Sequence, residues 1–423
     1  MLRIGFFIPE FPGQTHIFLW RERQALAELG IETDLISTRL PPRAVTSHAW
    51  AAEAQRQTRY LLPVGMAGLA TALAEMLRNP AGALRGTAAA MRAETTGGAK
   101  QRLRMLGLLL MGARLKRIAR QQGWNHVHTH SCADSLNIAM LAERLGGPGY
   151  SLTLHGPTLE GYGVNQRQKW RHARFATIIS RVLMREAERH IGADLPPVIN
   201  LAPMGVDLDQ IRRSAPWQAP EATGPIRIFS CGRLNAVKGH DHLVDVISLL
   251  RDRGLDVRLE IAGEDEQGGS GYRRELEALI TRRGLGDHVR LLGAVSETVV
   301  RESLERAHIF ALASLNEGIS VAIMEAMAME MPVVVTDVGG NHELIDSGHD
   351  AILVPASDPA AMADEIAGLI ADPERAARLA RASRARVAAD FHHRRSAEAV
   401  ADGLARTLPG APSPVSARAA PGV

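Results

Sequence analysis

The stretch NEGISVAIMEAMAME, residues 316–330, follows a short apolar run, HIFALAS (308–314), and precedes another, PVVVTD (332–337). Apolar runs of strand length on either side of a longer Ala- and Met-rich segment read as a strand, a loop, a helix and a second strand parallel to the first. Ser320 is placed to cap the helix, so the loop runs from Leu315 to Ser320. Glu317 then stands in the loop and Glu325 about five residues into the helix, roughly 7 Å further along its axis. Glu325 lies among Met324, Ala326, Met327 and Ala328. A carboxylate on so apolar a surface needs partners, and a ligand can supply them.

The same alternation extends outward in both directions. Upstream, IRIFSCGRL (226–234), VRLEIAG (257–263) and VRLLGA (289–294) are strands, with helices at about 241–253 and 275–283. The first half repeats the scheme with LRIGFFIP (2–9), a helix from Ile17 to Leu29 ended by Gly30, ETDLISTR (32–39), HVHTH (126–130), YSLTLHG (150–156) and FATIISR (175–181), closing near VINLAPMGVD (198–207). Short buried strands alternating with amphipathic helices predict an α/β protein with parallel, doubly wound sheets. SAPWQAPEATGP (214–225) has linker composition, so the domains are expected at 1–213 and 226–385. The tail, 409–423, is too poor in apolar residues to order itself.

Composition narrows the function classes. The chain has 423 residues, 46% hydrophobic and 22% charged, enough for two globular domains. A formal charge of +3 excludes a surface that coats nucleic acid. Cys132 and Cys231 lie far apart without metal-ligand spacing, which suits a reducing cytoplasm. The N-terminus lacks a signal-peptide core, and the longest uncharged apolar run, 105–113, is about half a membrane span.

The chemistry concentrates after strand 226–231. Its continuation GRLNAVKG (232–239) offers Gly232, which lets backbone approach a ligand, and two cations, Arg233 and Lys238, suited to a diphosphate. The helix behind Ser320 aims its N-terminal N–H groups at the same crevice. Glu325 can accept from the paired hydroxyls of a ribose.

These residues carry a resemblance. GRLNAVKG, then E-x7-E at Glu317 and Glu325, then EAMAMEMPVVVTDVGGNHELI resemble the retaining GT-B glycosyltransferases of family 4, over nearly the whole chain. The resemblance implies two Rossmann-like domains facing across a cleft, with a C-terminal helix at 386–408 returning to the first domain. It implies a nucleotide-sugar donor such as a UDP- or GDP-sugar, and a glycan or lipid-linked acceptor. Carried over, Arg233 and Lys238 hold the diphosphate, Glu325 the ribose, and Glu317 lies beside the donor sugar. PEFPGQTHIFLWRE (9–22) is similar to the family's first loop and helix, so Gly13 and Gln14, with Gly318 and Ile319, would line a donor or acceptor loop. LTLHG places His155 near the transferred sugar, PMGVD makes Asp207 a turn residue, and Gly339, Gly340 and Glu343 fall in a loop near the donor.

Two positions depart from the family pattern. Glu330 and Ala351 stand where glycine is usual, and a left-handed Glu330 would cost about 1 kcal/mol. No DxD-like or His-rich cluster suggests a metal, so fixed cations would take its place. Retention would proceed by front-face attack, with the leaving phosphate oxygen taking the acceptor proton and Glu317 positioning the sugar. Two other readings of the same residues are a nucleotide-sugar epimerase of this fold and a non-catalytic membrane-surface protein retaining it.

One segment stands outside this scheme. KQRLRMLGLLLMGARLKRIAR (100–120) has seven basic residues, no acid, and Leu103, Leu106, Leu110, Leu115 and Ile118 at helical spacing. Such a helix either packs on the first sheet with a basic rim or meets an anionic membrane surface, which would place the protein on the inner face of the plasma membrane.

Overall fold

The computed structural model describes residues 2–13, 15–41, 49–94, 97–156, 158–221, 224–265 and 271–412. Gln14 and residues 413–423 of the tail lie outside them. The first domain runs β1 (Leu2–Glu10), α1 (Ile17–Glu28), β2 (Ile31–Arg39), α2 (Ala49–Gln57), β3 (Arg59–Tyr60), α3 (Met66–Leu77), α4 (Pro80–Arg92), α5 (Gly98–Gln122), β4 (His126–Thr129), α6 (Asp134–Arg144), β5 (Gly149–Leu154), α7 (Gln166–Arg171), β6 (Ala176–Ile178), α8 (Arg181–Ile191) and β7 (Ile199–Leu201). The second runs β8 (Ile226–Cys231), α9 (His240–Asp252), β9 (Val257–Ala262), α10 (Tyr272–Arg282), β10 (Val289–Gly293), α11 (Glu297–Arg306), β11 (Ile309–Leu312), α12 (Val321–Ala328), β12 (Val333–Thr336), α13 (Asn341–Leu344), β13 (Ile352–Val354), α14 (Pro359–Ala371) and α15 (Pro373–Asp390). A last helix, α16 (Arg394–Thr407), follows.

Both sheets are parallel. The first has the order β3-β2-β1-β4-β5-β6-β7 and the second β10-β9-β8-β11-β12-β13. In each, the winding reverses next to the first strand, between β1 and β4 and between β8 and β11, and the loops leaving those strands diverge to open a crevice. The motifs read from sequence leave β1, β8 and β11, so topology alone brings them to the two crevices. Strands such as β4, β11 and β12 are buried at every residue, because helices cover both faces of a parallel sheet.

Local chemistry sets the helix boundaries. Asn79 caps α4 by accepting from Gly82 N, and Pro80 takes the first helical position. Glu330, just past α12, does adopt φ 52, and its carboxylate lies 3.7 Å from Arg384 Nε. Ala351 is fully buried and bridges to Ser347.

The chain crosses between domains twice, and the crossings are laced together. Val206 N donates to Phe391 O, and His393 N donates to Val206 O. A Cβ on Gly205 would overlap the backbone at Phe391 and His392, so only glycine fits there. Helix α15 runs on to Asp390, so the return crossing falls at 391–393 and not at 386. Beyond it α16 inserts Ala397, Val400, Ala401 and Leu404 among Ile4, Phe6 and Leu26 of the first domain.

Of the two readings of segment 100–120, helix α5 takes the packed one for its apolar face. Met105, Leu108, Leu109 and Leu115 are buried in the first-domain core. Five of its seven cations have partners within the first domain. Arg102 donates to Met91 O and Ala93 O, Arg104 pairs with Asp134, Arg114 donates to Leu61 O, and Lys116 and Arg120 flank Glu75. Most of the basic run thus satisfies carbonyls and carboxylates of the segments packed around α5.

Candidate active site in the cleft between the domains

The second-domain side is built from two loops that hold each other. Leu315 N donates to Val237 O at 2.7 Å, tying the β11 loop to the β8 loop. Gly239, with φ 60, lies so close to Ala313 O that no side chain could replace it. Gly263 packs in the same way on Gly232 O, whereas a Cβ on Gly232 itself would meet only ordinary contacts. The backbone's need for glycine therefore falls at Gly239 and Gly263, and any requirement at Gly232 would come from a ligand.

Lys238 and Glu317 form a partly buried ion pair, Nζ to Oε1 at 2.6 Å, and the same oxygen accepts from Ser314 Oγ at 2.7 Å. Ser314 is itself fixed by Thr336, whose hydroxyl donates to Ser314 O. Gly339 and Gly340 press on the carbonyls of Glu317 and Gly318, so a Cβ on either would collide with the loop. Gly340 N also donates to Glu317 O. The Gly-Gly pair thus clamps the Glu317 backbone. Ser320 stands at the N-cap of α12 with no side-chain capping bond. The Ile319 side chain is buried in the second-domain core, so it supports α12 and leaves only its backbone to the loop.

Glu325 takes a different partner from the one expected of a surface acid. Arg21 of α1 reaches across the cleft to within 3.8 Å of Glu325 and 3.6 Å of Glu297. Burial, opposed by Arg21 and reinforced by Glu297, raises the Glu325 carboxyl to about 7. Glu343 also spans the cleft, accepting from Arg181 N at 2.7 Å and Val182 N at 2.9 Å. A carboxylate at a helix N-terminus is the favourable polarity, so Glu343 anchors α8 to the second domain.

The first domain faces these loops with histidines. Gly13 N donates to Nδ1 of His16, whose basicity falls to about 4 through burial and then the charge of Arg233. His155 ends β5, and its carbonyl lies against Gly318 so tightly that a Cβ on Gly318 would overlap it. Its Nε2 is 3.1 Å from Nδ1 of His130, and His130 Nε2 is 3.3 Å from Glu22 Oε1. His155 Nδ1 is buried without a hydrogen-bond partner. Burial, then His16, lowers His155 to about 3, and burial, opposed by the Ser396 hydroxyl, raises Glu22 to about 7.

The sequence offered no sign of the Glu22–His130–His155 chain, because α1, β4 and β5 meet only in the fold. Arg21 was missed for the same reason. Among the described residues, Glu22, His128 and His130 place three metal-ligand atoms within 4.8 Å of one another, a cluster not foreseen from the sequence. Both ring nitrogens of His128 are engaged, by the Ser151 and Thr153 hydroxyls, which makes the group a hydrogen-bonded network with no third open ligand.

Two doubly wound domains facing across a cleft, with loops gathered at the switch points, are the architecture of the GT-B class of glycosyltransferase. Residues 212–386 match the family described as glycosyl transferases group 1. The chain is 30% identical over 295 residues to D-inositol 3-phosphate glycosyltransferase of Xylanimonas cellulosilytica, covering 63% of this chain and 68% of that one. It is 34% identical to alpha-D-kanosaminyltransferase of Streptomyces kanamyceticus, but that match spans only 37% of this chain and 39% of the relative. Over nearly full length, 92% and 96%, it is 26% identical to the putative colanic acid biosynthesis glycosyltransferase WcaL of Escherichia coli. Among solved structures, HepE of Anabaena in complex with UDP-glucose aligns with TM-score 0.69 at 17% identity, covering 96% of this chain and 100% of that one. The chain belongs to the group 1 glycosyl transferases and is a transferase.

Proposed function

We propose that the protein transfers a sugar, with retention of anomeric configuration, from a UDP- or GDP-linked donor to a glycan or lipid-linked acceptor in polysaccharide or glycolipid synthesis on the cytoplasmic side of the membrane. The observation that carries this reading is the Lys238–Glu317 pair, held at the β8/β11 switch point by Ser314, Gly339 and Gly340 and facing His155 across the cleft. The full-length likeness to a colanic acid glycosyltransferase and the fold shared with a protein solved with UDP-glucose support the substrate classes.

Breaking the bond between anomeric carbon and phosphate leaves negative charge on the diphosphate. Arg233, Lys238 and the N–H groups at the start of α12 would stabilise it, with fixed cations in the place of a metal. Ribose hydroxyls would donate to Glu325 in competition with Arg21. The departing phosphate oxygen would take the acceptor proton on the same face, and Glu317 would orient the sugar. His155 Nδ1 would meet a sugar hydroxyl, with Glu22 and His130 setting which ring nitrogen carries the proton. The acceptor would enter by a recess of about 360 Å³ lined by Arg104, Met105, Asp134, Asn137 and Tyr162, since the Tyr162 hydroxyl donates to Gly156 O, next to His155.

The test has two stages. A screen of nucleoside-diphosphate sugars for a donor-dependent rise in melting temperature should single out one donor, and NMR of the product should show the donor's anomeric configuration kept. An inverted product refutes retention, and an epimerised sugar released without any acceptor favours the epimerase reading.

A further inference from the structure

Helix α3 is inside out. Its one charged residue, Glu75, is only 2% exposed and sits between Lys116 and Arg120 of α5. Its outer face carries Met66, Ala67, Ala70, Leu73, Ala74 and Leu77, with Met66 83% and Leu77 78% exposed. Met66, Leu73 and Leu77 follow one another at spacings of seven and four residues, which is a single helical stripe. A surface helix in water ordinarily presents the opposite arrangement.

The neighbourhood continues the pattern. Nine of the twelve exposed large apolar side chains among the described residues fall between Leu40 and Leu103, so the apolar surface is gathered on one part of the first domain. Leu84 and Met91 of α4 and Leu103 of α5 belong to it, and α3, α4 and α5 pack on one another. Charge is gathered there too. Residues 59–120 hold eleven Lys and Arg against two acids, Glu75 and Glu94, in a chain whose total is only +3. With Glu75 buried, exposed Arg78, Arg85, Arg92 and Lys100 border the apolar stripe. Arg85 and Arg92 also open into a recess of about 370 Å³ whose walls include Arg144 and Glu94, and Arg167 and Arg171, both paired with Asp194.

We infer that the α3–α4 face of the first domain docks on an anionic phospholipid bilayer, with Met66, Leu73, Leu77 and Leu84 entering the acyl boundary and Arg78, Arg85 and Arg92 meeting lipid phosphates. An apolar stripe ringed by cations matches the layered polarity of a bilayer surface: hydrocarbon in the centre, anionic headgroups around it. Leu103 and Arg104 connect this face to the recess beside Tyr162, so an acceptor carried by lipid would enter from the docked side. The inference does not depend on the transfer chemistry proposed above, because vesicle binding is read without a donor.

The test is co-sedimentation of the full chain with vesicles of phosphatidylglycerol or of phosphatidylcholine, at low and at high salt. Wild type should bind phosphatidylglycerol more tightly and lose affinity as salt rises, by screening. Leu73→Gln, Leu77→Gln and Leu84→Gln combined should lower binding at least tenfold, with the melting temperature held. Leu201→Gln, exposed elsewhere, should leave binding unchanged. Arg78→Gln with Arg85→Gln should remove most of the salt dependence. Equal binding to both vesicles, binding untouched by the triple substitution, or a wild-type dimer that the triple substitution turns into a monomer would overturn the inference, the last by making α3 a protein interface.

Discussion

Lys238 cannot serve two anions equally well. Its ammonium is 2.6 Å from Glu317 Oε1, with the two side chains only 16% and 8% exposed, so a donor diphosphate must compete with Glu317 for it. Glu317→Gln keeps the shape of the side chain and a hydrogen-bond acceptor for Ser314 while removing the competing charge. A partly buried, charge-assisted pair is worth about 1 to 2 kcal/mol, above an exposed pair and below the strongest charged hydrogen bonds. The variant should therefore bind free nucleoside diphosphate roughly 5- to 30-fold more tightly than wild type while turning over more slowly. Calorimetric titration with UDP and GDP, beside steady-state kinetics, reads both effects. A decrease or no change in diphosphate affinity, with the melting temperature retained, refutes the idea that Glu317 restrains Lys238. The double variant with Lys238→Met closes the cycle: the gain from Glu317→Gln should vanish when Lys238 is absent.

Three other outcomes follow from the site. Arg233→Ala should weaken nucleoside diphosphate binding by about 1.5 to 3 kcal/mol, and EDTA should leave activity in place; activity abolished by the chelator and restored by a divalent ion would contradict fixed-cation catalysis. Gly340→Ala drives a Cβ into Gly318 O, and a displacement of the Glu317 loop by about 1 Å should lower kcat on the order of 100-fold; near-normal turnover would show that the clamp yields. Glu325, raised to about 7, holds its proton in the fold at pH values where the unfolded chain has released it. Its contribution to stability therefore declines between about pH 4.5 and 7, and Glu325→Gln should gain stability relative to wild type across that window, measured as the difference in melting temperature. Ribose binding needs the ionised form, so the wild-type donor KM should fall as pH rises through about 7, and a flat profile counts against the ribose role.

Much of this protein is set by local sequence. Strands such as VVVT and IFAL are short and apolar throughout, and the first helix ends at Gly30, features that neighbouring residues decide and that read correctly without a structure. Because parallel strands wound in this order must reverse direction at one point, the loops after β8 and β11 could be assigned to a ligand crevice from their sequence position. What tertiary structure alone decided were the pairings across the cleft: Arg21 with Glu325, Glu343 with α8, and Glu22 with His130 and His155. Charged side chains over distances of a few ångströms respond to whatever the fold brings near, and no periodicity in one segment encodes a partner hundreds of residues away. The same limit left segment 100–120 open between a packed helix and a lipid-facing one. Five of its cations meet Glu75, Asp134 and backbone carbonyls around α5, whereas α3 buries its one acid and turns an apolar face outward.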